Sequence, residues 1–576
     1  MKYHKHKSFI ALVWCLLLGS SLAFSQRQIS GVISDGENGE PLIGASVRAK
    51  GTTSGAVTDV EGKYRLAIPE GATQLEVTYT GYSSQILTIG ASNVMDVALR
   101  PGLVLEETVV IGYGSVKKED ATGSVNAVTE KNFNRGAIVS PEQLVAGKVA
   151  GVQISSNSGE PGGQATIRVR GGTSVNASNE PLFVIDGVPI DNVAHNPGGF
   201  SNGRNPLNFL NPGDIETITV LKDASATAIY GSRGANGVIM ITTKKGKKGT
   251  AGRLTYDGYY TTSSFAEEAP ILDATAFRNV VTYVAPNRLE KLGDNNTNWF
   301  DEITQTATGQ NHSVSFSGGA ENVNYRVSAG YQKLEGVLRS SETERTSYSL
   351  NYGHSLFDNR LNINVGLKGS QTKDRFDPGQ IFGAWTFDPT QPVYDRANTA
   401  FGGFFEYNAS GSPRNPVSAY QQNQDYGKLF RNIASIDAEY KMDDFIKGLS
   451  AKLILGYDIQ SGERKRFQPT TYVAPPVTNY AGELRVENFT RTNPLLDFYL
   501  NFKRELGENH RIDLTAGYSY QDFLATYPFF RAYNLTSDVF GLNSATPAED
   551  FEANTSEVNN RLISFFGRAN YAFMDK

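Results

Sequence analysis

Residues 322–332 read NVNYRVSAGYQ, and the alternation in them decides the fold. Val323, Tyr325, Val327, Ala329 and Tyr331 fall on one face of an extended chain; Asn324, Arg326, Ser328, Gly330 and Gln332 fall on the other. Side chains of a strand point to alternate faces, so this is a strand with one apolar and one polar side. The dyad recurs in LNINVGLKGSQ (361–371), where Leu361, Ile363, Val365 and Leu367 oppose Asn362, Asn364, Gly366 and Lys368. It returns in LSAKLILGYDIQ (449–460), LLDFYLNFK (495–503), RIDLTAGYSYQ (511–521) and, less regularly, LISFFGRANYAF (562–573).

Strands of 9 to 12 residues with this division are long for a soluble sheet. They match membrane-crossing barrel strands of about 10 residues, whose lipid-facing and lumen-facing sides alternate. Connections alternate as well: 318–321 and 358–360 are short, whereas 372–429 is long. A soluble sandwich or propeller would show the same alternation in any one strand. About ten such strands from Arg253 onward, with tyrosines near their ends, select the membrane. The discriminating observation is the direction of the apolar faces. A belt about 25 Å tall facing outward supports a barrel, and faces turned into a core exclude it.

The start of the chain fits that destination. Lys2, Lys5 and Lys7 precede an apolar run from Phe9 to Leu18, then small residues to Ser25. This is the layout of a secretory signal peptide, with cleavage expected after Ser25. Cys15, the only cysteine, lies inside that run, so the mature chain has neither disulfides nor thiolate chemistry. Loss of the three lysines takes the formal charge from −5 to −8, which gives no electrostatic reason to bind nucleic acid. No later run of 18 apolar residues offers a spanning helix. The 58 glycines, 28 tyrosines and 31 phenylalanines suit a β protein with many turns.

Two units precede the long strands. From about Gln28 to Arg100, Tyr64/Leu66/Ile68 and Leu75/Val77/Tyr79 alternate between turn signals at Asp35-Gly36, Asn38-Gly39 and Glu61-Gly62. The reading is a seven-strand sandwich. From about Ser115 to Lys248 a compact α+β unit is expected. Ser140-Pro141-Glu142 would cap a helix that Gly151 ends, with strands at 166–170, 181–185, 217–221 and 238–243 and a small helix at 224–229.

Between these units lies LEETVVIGYGSVKKED (105–120). Its β-branched core wants a partner strand, and nothing beside it reads as its own hairpin. By residue pattern alone it serves equally as the last strand of the sandwich, the first of the next unit, or a strand added to another molecule. Gly112-Tyr113-Gly114 lacks the third glycine and following helix of a nucleotide site.

Several segments in order carry a resemblance. GVISDGENGEPLIGASVRAKGTTSGAVTDVEGKYRLAIPEG is similar to a carboxypeptidase-regulatory-like domain. ETVVIGYGSVKKEDATGSV, IRVRGGTS, FVIDGVPID, IETITVLKDASATAIYGSRGANGVIMITTKKG and QNHSVSFSGGAENVNYRVSAGYQ resemble SusC/RagA-type TonB-dependent outer-membrane transporters. The resemblance implies a signal peptide at 1–25, a β-sandwich at 27–101, a TonB-box-like segment at 103–116, a plug domain at 117–249 and barrel strands over 252–576. The fold class is then mainly β: an N-terminal sandwich, a small α+β plug, and an incomplete antiparallel barrel.

The same resemblance makes Glu107, Thr108, Val109, Val110, Ile111, Gly112 and Tyr113 the TonB box, adding as an edge strand to the periplasmic domain of TonB. It implies residence in the outer membrane, with its lipid and the barrel assembly machinery as further partners. It also implies a SusD-like surface lipoprotein as lid and a nutrient cargo, with oligosaccharides prominent and peptides also known. No enzyme is expected. The first module's name suggests a zinc peptidase, but beyond the leader only His195, His312, His354 and His510 remain, without ligand spacing. No cofactor pattern is present either.

Smaller signals have plain readings. Lys244–Gly249 (KKGKKG) is an exposed linker, Asp35/Glu37/Asn38 a solvated turn, and Asp186-Gly187 and Asp223 turn and capping residues. Arg168 and Arg170 alternate along a strand of the plug-like unit and are expected to pair with acids on the barrel wall. Phe401, Phe404, Phe405 and Tyr407 are expected to pack their loop on itself before stacking on sugar. A barrel enclosing a plug needs about 22 strands, so ten strands ending FMDK imply a chain covering the first half or so of such a transporter. The alternatives are a surface β-rich interaction protein or a non-functional truncated transporter.

Overall fold

The computed structural model describes residues 27–573 except 37, 53, 70, 80–81, 101–107, 112–113, 118–124, 170, 172–177, 191–202, 408–412, 473–480, 508 and 544–547. The leader-like segment and His195 therefore lie outside the described residues.

The first unit is a sandwich of seven strands: β1 (Gln28–Asp35), β2 (Ser46–Ala49), β3 (Gly55–Val57), β4 (Lys63–Ala67), β5 (Gln74–Thr78), β6 (Gln85–Thr88) and β7 (Val97–Leu99). Three of them form a sheet ordered β4-β1-β7, and four form β3-β2-β5-β6. Alternate residues of each strand enter the core, so Ile29, Ile33, Val47, Leu75, Val77 and Leu99 are fully buried. Tyr64 spans that core and its hydroxyl donates to the Met95 carbonyl at 2.9 Å. The turn at Asp35 and Asn38 is a hydrogen-bonded one: Asn38 accepts from the Glu40 N–H, and Asp35 accepts from the Tyr82 hydroxyl.

The short strands β8 (Thr108–Ile111) and β9 (Gly114–Lys117) pair with each other in a two-stranded sheet. This corrects the expectation that the β-branched run has no hairpin partner beside it. The physical reason is a two-residue, glycine-containing connection between two β-formers, which is the length a tight hairpin uses.

The inner α+β domain carries β10 (Val125–Thr129), β11 (Val152–Ser156), β12 (Ala165–Val169), β13 (Leu182–Ile185), β14 (Val188–Ile190), β15 (Ile215–Leu221) and β16 (Val238–Thr243). Five of them form one sheet, β10-β15-β16-β13-β14, in which only β13 and β16 run parallel. Helix α1 (Ala224–Thr227) lies between β15 and β16, and Thr227 N–H bonds the Asp223 carbonyl. The helix expected from Ser140 to Gly151 is a single 3-10 turn, Pro141–Leu144. Gly147 and Gly151 both adopt left-handed conformations, and Ser140 bonds the inward-turned Glu142 carboxylate instead of a backbone N–H.

Ten antiparallel strands follow in sequence order as one curved sheet: β17 (Arg253–Ser263), β18 (Ala307–Gly319), β19 (Val323–Glu335), β20 (Glu342–Leu356), β21 (Leu361–Arg375), β22 (Gln424–Lys441), β23 (Leu449–Gln468), β24 (Glu483–Leu506), β25 (His510–Leu535) and β26 (Ala548–Phe573). Turns at one end are short, while the other end carries α2 (Ala274–Val284), α3 (Trp299–Ile303), α4 (Ile381–Thr386) and α5 (Pro416–Gln422) in its long connections. The strands run to 26 residues, well past the 9 to 12 read from sequence. Beyond the apolar stretch both faces are polar: Ser461, Glu463 and Lys465 alternate with Gly462, Arg464 and Arg466 on β23. Hydropathy no longer alternates there although the side chains still do.

Burial inverts the usual rule for a β protein. Arg326, Ser328, Lys368 and Arg431 are buried, whereas Val327 is 48% exposed, Ile436 46% and Phe498 44%. The register aligns the outward residues in rows: Val327, Leu350, Leu367, Ala434, Tyr457 and Pro494 stand side by side. On β19 the apolar row spans Val323 to Tyr331, about 27 Å along the strand at ~3.4 Å per residue. With a tilt near 40° that is roughly 20 Å of apolar belt, the scale of a bilayer core.

Candidate functional site

The concave, polar face of the sheet receives the inner domain. Apolar contact is made by Ile433, Ile454, Leu495 and Tyr499 of the wall against a core that includes Phe183, Ile190, Phe209, Val220 and Ile241. Around it the wall supplies cations and the inner domain supplies acids and carbonyls. Arg326 meets Asp214 at 2.7 Å, and Ser328 donates to the other Asp214 oxygen. Lys368 meets Asp186 at 2.6 Å. One Arg345 nitrogen donates to the carbonyls of Val139, Asn208 and Leu210. Arg431 holds Asp458 through two nitrogens, reaches the Pro206 carbonyl at 2.9 Å and covers the Phe209 ring at 4.6 Å.

The local geometry of these partners is set by turns. Asp186 and Gly187 both have positive φ between Ile185 and Val188, a two-residue hairpin that favours Asp-Gly. The Asp186 carboxylate also accepts from the Thr243 N–H and hydroxyl. Burial acts to raise its pKa, but Lys368 and Lys245 outweigh this and hold it below the ordinary carboxylate value. Asn211 caps the turn Pro212–Asp214 through the Gly213 N–H and donates to Ser313 of the wall. The Arg326–Asp214 and Arg431–Asp458 pairs are buried on both sides, so removing one partner strands a charge.

The KKGKKG segment is exposed at Lys245, Lys247, Lys248 and Gly249, as expected of a linker, and is tied to the wall by hydrogen bonds. Lys244 pairs with Glu130, its carbonyl accepts from Asn351, Asn324 donates to the Gly246 carbonyl, and Lys248 bonds Ser355. A Cβ on Gly246 would stand 2.2 Å from the Tyr325 carbonyl oxygen, so glycine is required by close approach. Arg168 pairs with Glu180 of its own domain, and Arg170 lies outside the described residues. An inner-domain arginine that does reach a wall acid is Arg204, 3.0 Å from Asp374 and also bonded to Glu160.

Arg204 belongs to a junction with the long-connection end. The Phe376 ring lies between the Arg204 and Arg464 guanidinium groups at 4.2 and 3.8 Å. Glu160 also accepts from the Asp377 N–H, and Asp377 accepts from Tyr420 of α5. There Trp299, Phe387, Phe404, Val417 and Tyr420 form a buried cluster on which Phe405 and Tyr407 pack, joining the two longest connections. The loop aromatics thus pack on each other, as expected. At the other end a cavity of about 400 Å³ separates the inner domain from the wall, lined by Asp186, Lys245, Asp437, Lys452, Lys503, Asp513 and Arg568.

Similarity to known proteins follows this architecture. The TonB-dependent Receptor Plug Domain family model matches residues 117–238, and the CarboxypepD_reg-like domain model matches 29–111. TonB-dependent receptor SusC of Bacteroides thetaiotaomicron is 36% identical over 99% of this chain and 57% of its own length. The chain belongs to the SusC/RagA-type TonB-dependent receptors. TonB-dependent receptor P3 of Formosa agariphila is 33% identical over the whole chain and 56% of that protein. A structure of the RagAB peptide importer in its open-open state superposes with a TM-score of 0.68 at 23% identity, covering 81% of this chain and 55% of that one. This SusC-type chain thus spans just over half the length of the relatives it matches, and the inner domain is its plug.

Of the expected TonB-box residues, Thr108, Val109, Val110 and Ile111 form β8, while Glu107, Gly112 and Tyr113 lie outside the described residues. Sequence reasoning missed Asp214, Arg204 and Glu160. The Asn211-Pro212 dipeptide signals a turn, but nothing local announces a partner 112 residues away.

Proposed function

We propose that this chain supplies the plug and part of the wall of an outer-membrane importer that moves a nutrient by mechanical remodelling of the plug. The observation that carries the reading is the inverted wall, with an apolar belt outside and buried cations inside holding the plug. A soluble β-rich interaction protein would turn those apolar rows into a core. Residues 107–113 act as the TonB box: β8 would exchange its partner β9 for an edge strand of TonB's periplasmic domain, with backbone hydrogen bonds carrying the affinity. A leader at 1–25 directs export, and the barrel assembly machinery inserts the strands. No bond of the cargo is changed.

The cargo class is oligosaccharide, delivered under a SusD-like lipoprotein lid at the long-connection end. Phe382 and Trp385 of α4 stand exposed there and offer ring faces to a sugar. The test is uptake of labelled oligosaccharides and peptides by cells carrying the receptor, with and without TonB. TonB-dependent oligosaccharide uptake supports the proposal; uptake of peptides alone overturns the cargo class, and uptake without TonB overturns the mechanism.

A further inference from the structure

We infer that cargo passes between the plug and strands β22–β26, while the plug stays fixed to β18–β21. The inference rests on the mechanical reading proposed above and assigns the side on which the plug parts from the wall. Its first support is the distribution of polar ties. Asp214 pairs with Arg326 of β19, while Asp186 pairs with Lys368 and Arg204 with Asp374, both of β21. Asn211 donates to Ser313 of β18, and Arg345 of β20 donates to three plug carbonyls. Breaking such contacts leaves buried charges and polar groups without partners, so this side resists separation. The chain itself reinforces it. Strand β16 continues through 244–249 into β17, and on the way Asn351 and Asn324 donate to the Lys244 and Gly246 carbonyls. Asn351 also donates to the Thr243 hydroxyl at 3.1 Å. Tension applied upstream of β10 therefore meets an anchored last strand, and the plug tilts about it.

The other side is built differently. Against β22–β25 the plug meets Ile433, Ile454, Leu495 and Tyr499, with Arg431 and Gln521 donating to the Pro206 and Pro189 carbonyls. The cavity of about 400 Å³ lies here, and among the described residues all of its wall lining comes from β22–β26. Lys452 pairs with Asp437 at 2.6 Å across part of that lining, and Lys503, Asp513 and Arg568 add further charges of both signs. A polar gap widens more easily than a packed contact opens, because water takes up the hydrogen bonds of its lining as the sides separate. The same lining favours a hydrophilic cargo over an apolar one.

Neighbouring residues of β16 make the test. Thr242 lines the cavity together with Ser450 of β23, whereas Thr243 is bonded to Asn351 of β20. Cys15 is the only cysteine of the chain, so Thr242→Cys/Ser450→Cys and Thr243→Cys/Asn351→Cys each offer one pair to a short, cleavable thiol cross-linker. Uptake of labelled oligosaccharide by cells carrying each variant is measured before linking, after linking and after cleavage. The Thr242–Ser450 link should cut TonB-dependent uptake about tenfold, by holding shut the step that admits cargo, and cleavage should restore it. The Thr243–Asn351 link should leave most of the uptake in place. Lys245→Cys/Lys452→Cys, also on the cavity, repeats the first link independently. Equal loss with both kinds of link overturns the inference, since the plug then leaves β20 as well; so does undiminished uptake with the cavity linked. Absence of TonB-dependent uptake in the unmodified receptor overturns the mechanical reading itself. Heat-modifiable electrophoretic mobility confirms that each variant is folded.

Discussion

Arg326 of the wall and Asp214 of the plug close a 2.7 Å ion pair with both side chains less than a tenth exposed. Removing the arginine leaves a buried carboxylate with only the Ser328 hydroxyl. Arg326→Met should therefore weaken plug docking by ~3–5 kcal/mol, whereas Arg326→Met with Asp214→Leu should restore most of it. Protease resistance of the plug in a denaturant series reads both.

The pH profile of plug docking should distinguish Lys368→Met from the wild type, most of all at neutral pH. The folded Asp186 carboxyl is held below its ordinary value by Lys368 and Lys245 against the opposing effect of burial. Its contribution is present above the unfolded value, near 4, and is lost only as pH falls through the lowered one. Without Lys368 burial prevails, so the variant should hold its plug weakly at neutral pH and regain protection as acid neutralises the Asp186 carboxyl, while the wild type stays protected at both; hydrogen exchange at β13 and β14 reads this.

The long connection between β21 and β22 should tighten on acidification. Burial raises Asp377 to about 6 and Glu406 to about 7. These carboxyls hold protons more firmly folded than unfolded, so their stability is full below the ordinary carboxylate range and lost as pH rises through 6 and then 7. Exchange protection around residues 413–423 should fall between pH 5 and 8. Glu406→Gln should flatten the upper part of that profile.

Gly246→Val should dislodge the segment joining plug to wall. The added side chain meets the carbonyl oxygens of Tyr325 and Gly318, neither of which can move without breaking the β18–β19 ladder. Trypsin should then cut at Lys244–Lys248 in folded protein, where the wild type resists.

A peptide of residues 105–117 should bind the periplasmic domain of TonB. Val110→Pro should abolish binding by removing a strand N–H, while Val110→Thr should leave it within about twofold because strand propensity is kept. Isothermal titration separates the two.

The wall was legible because exposed apolar rows and the polar plug-facing side lie on opposite faces of one strand, so the face code is written in hydropathy. Its length was hidden where both faces meet water, as at Ser461–Arg466. The plug's strands were legible from their β-branched runs, but its attachments were not. Arg326 and Lys368 read as polar-face residues and Asp186 as a turn, since a turn residue's carboxylate can face anything. The suggested Arg168 contact pointed to the wrong partner because Glu180 of its own domain stands beside it. The β8–β9 pairing was missed by reading one run without the next.

The length of β25 and β26 has a consequence for access. Twenty-six residues make a strand of about 86 Å, or roughly 65 Å of height at a 40° tilt. A hydrocarbon core takes about 30 Å of it, so a parapet nearly as tall as the membrane is thick rises on the long-connection side. On the proposed membrane placement, a solute approaching Glu160 and Arg204 from the long-connection side would pass along that height of polar wall before reaching the plug.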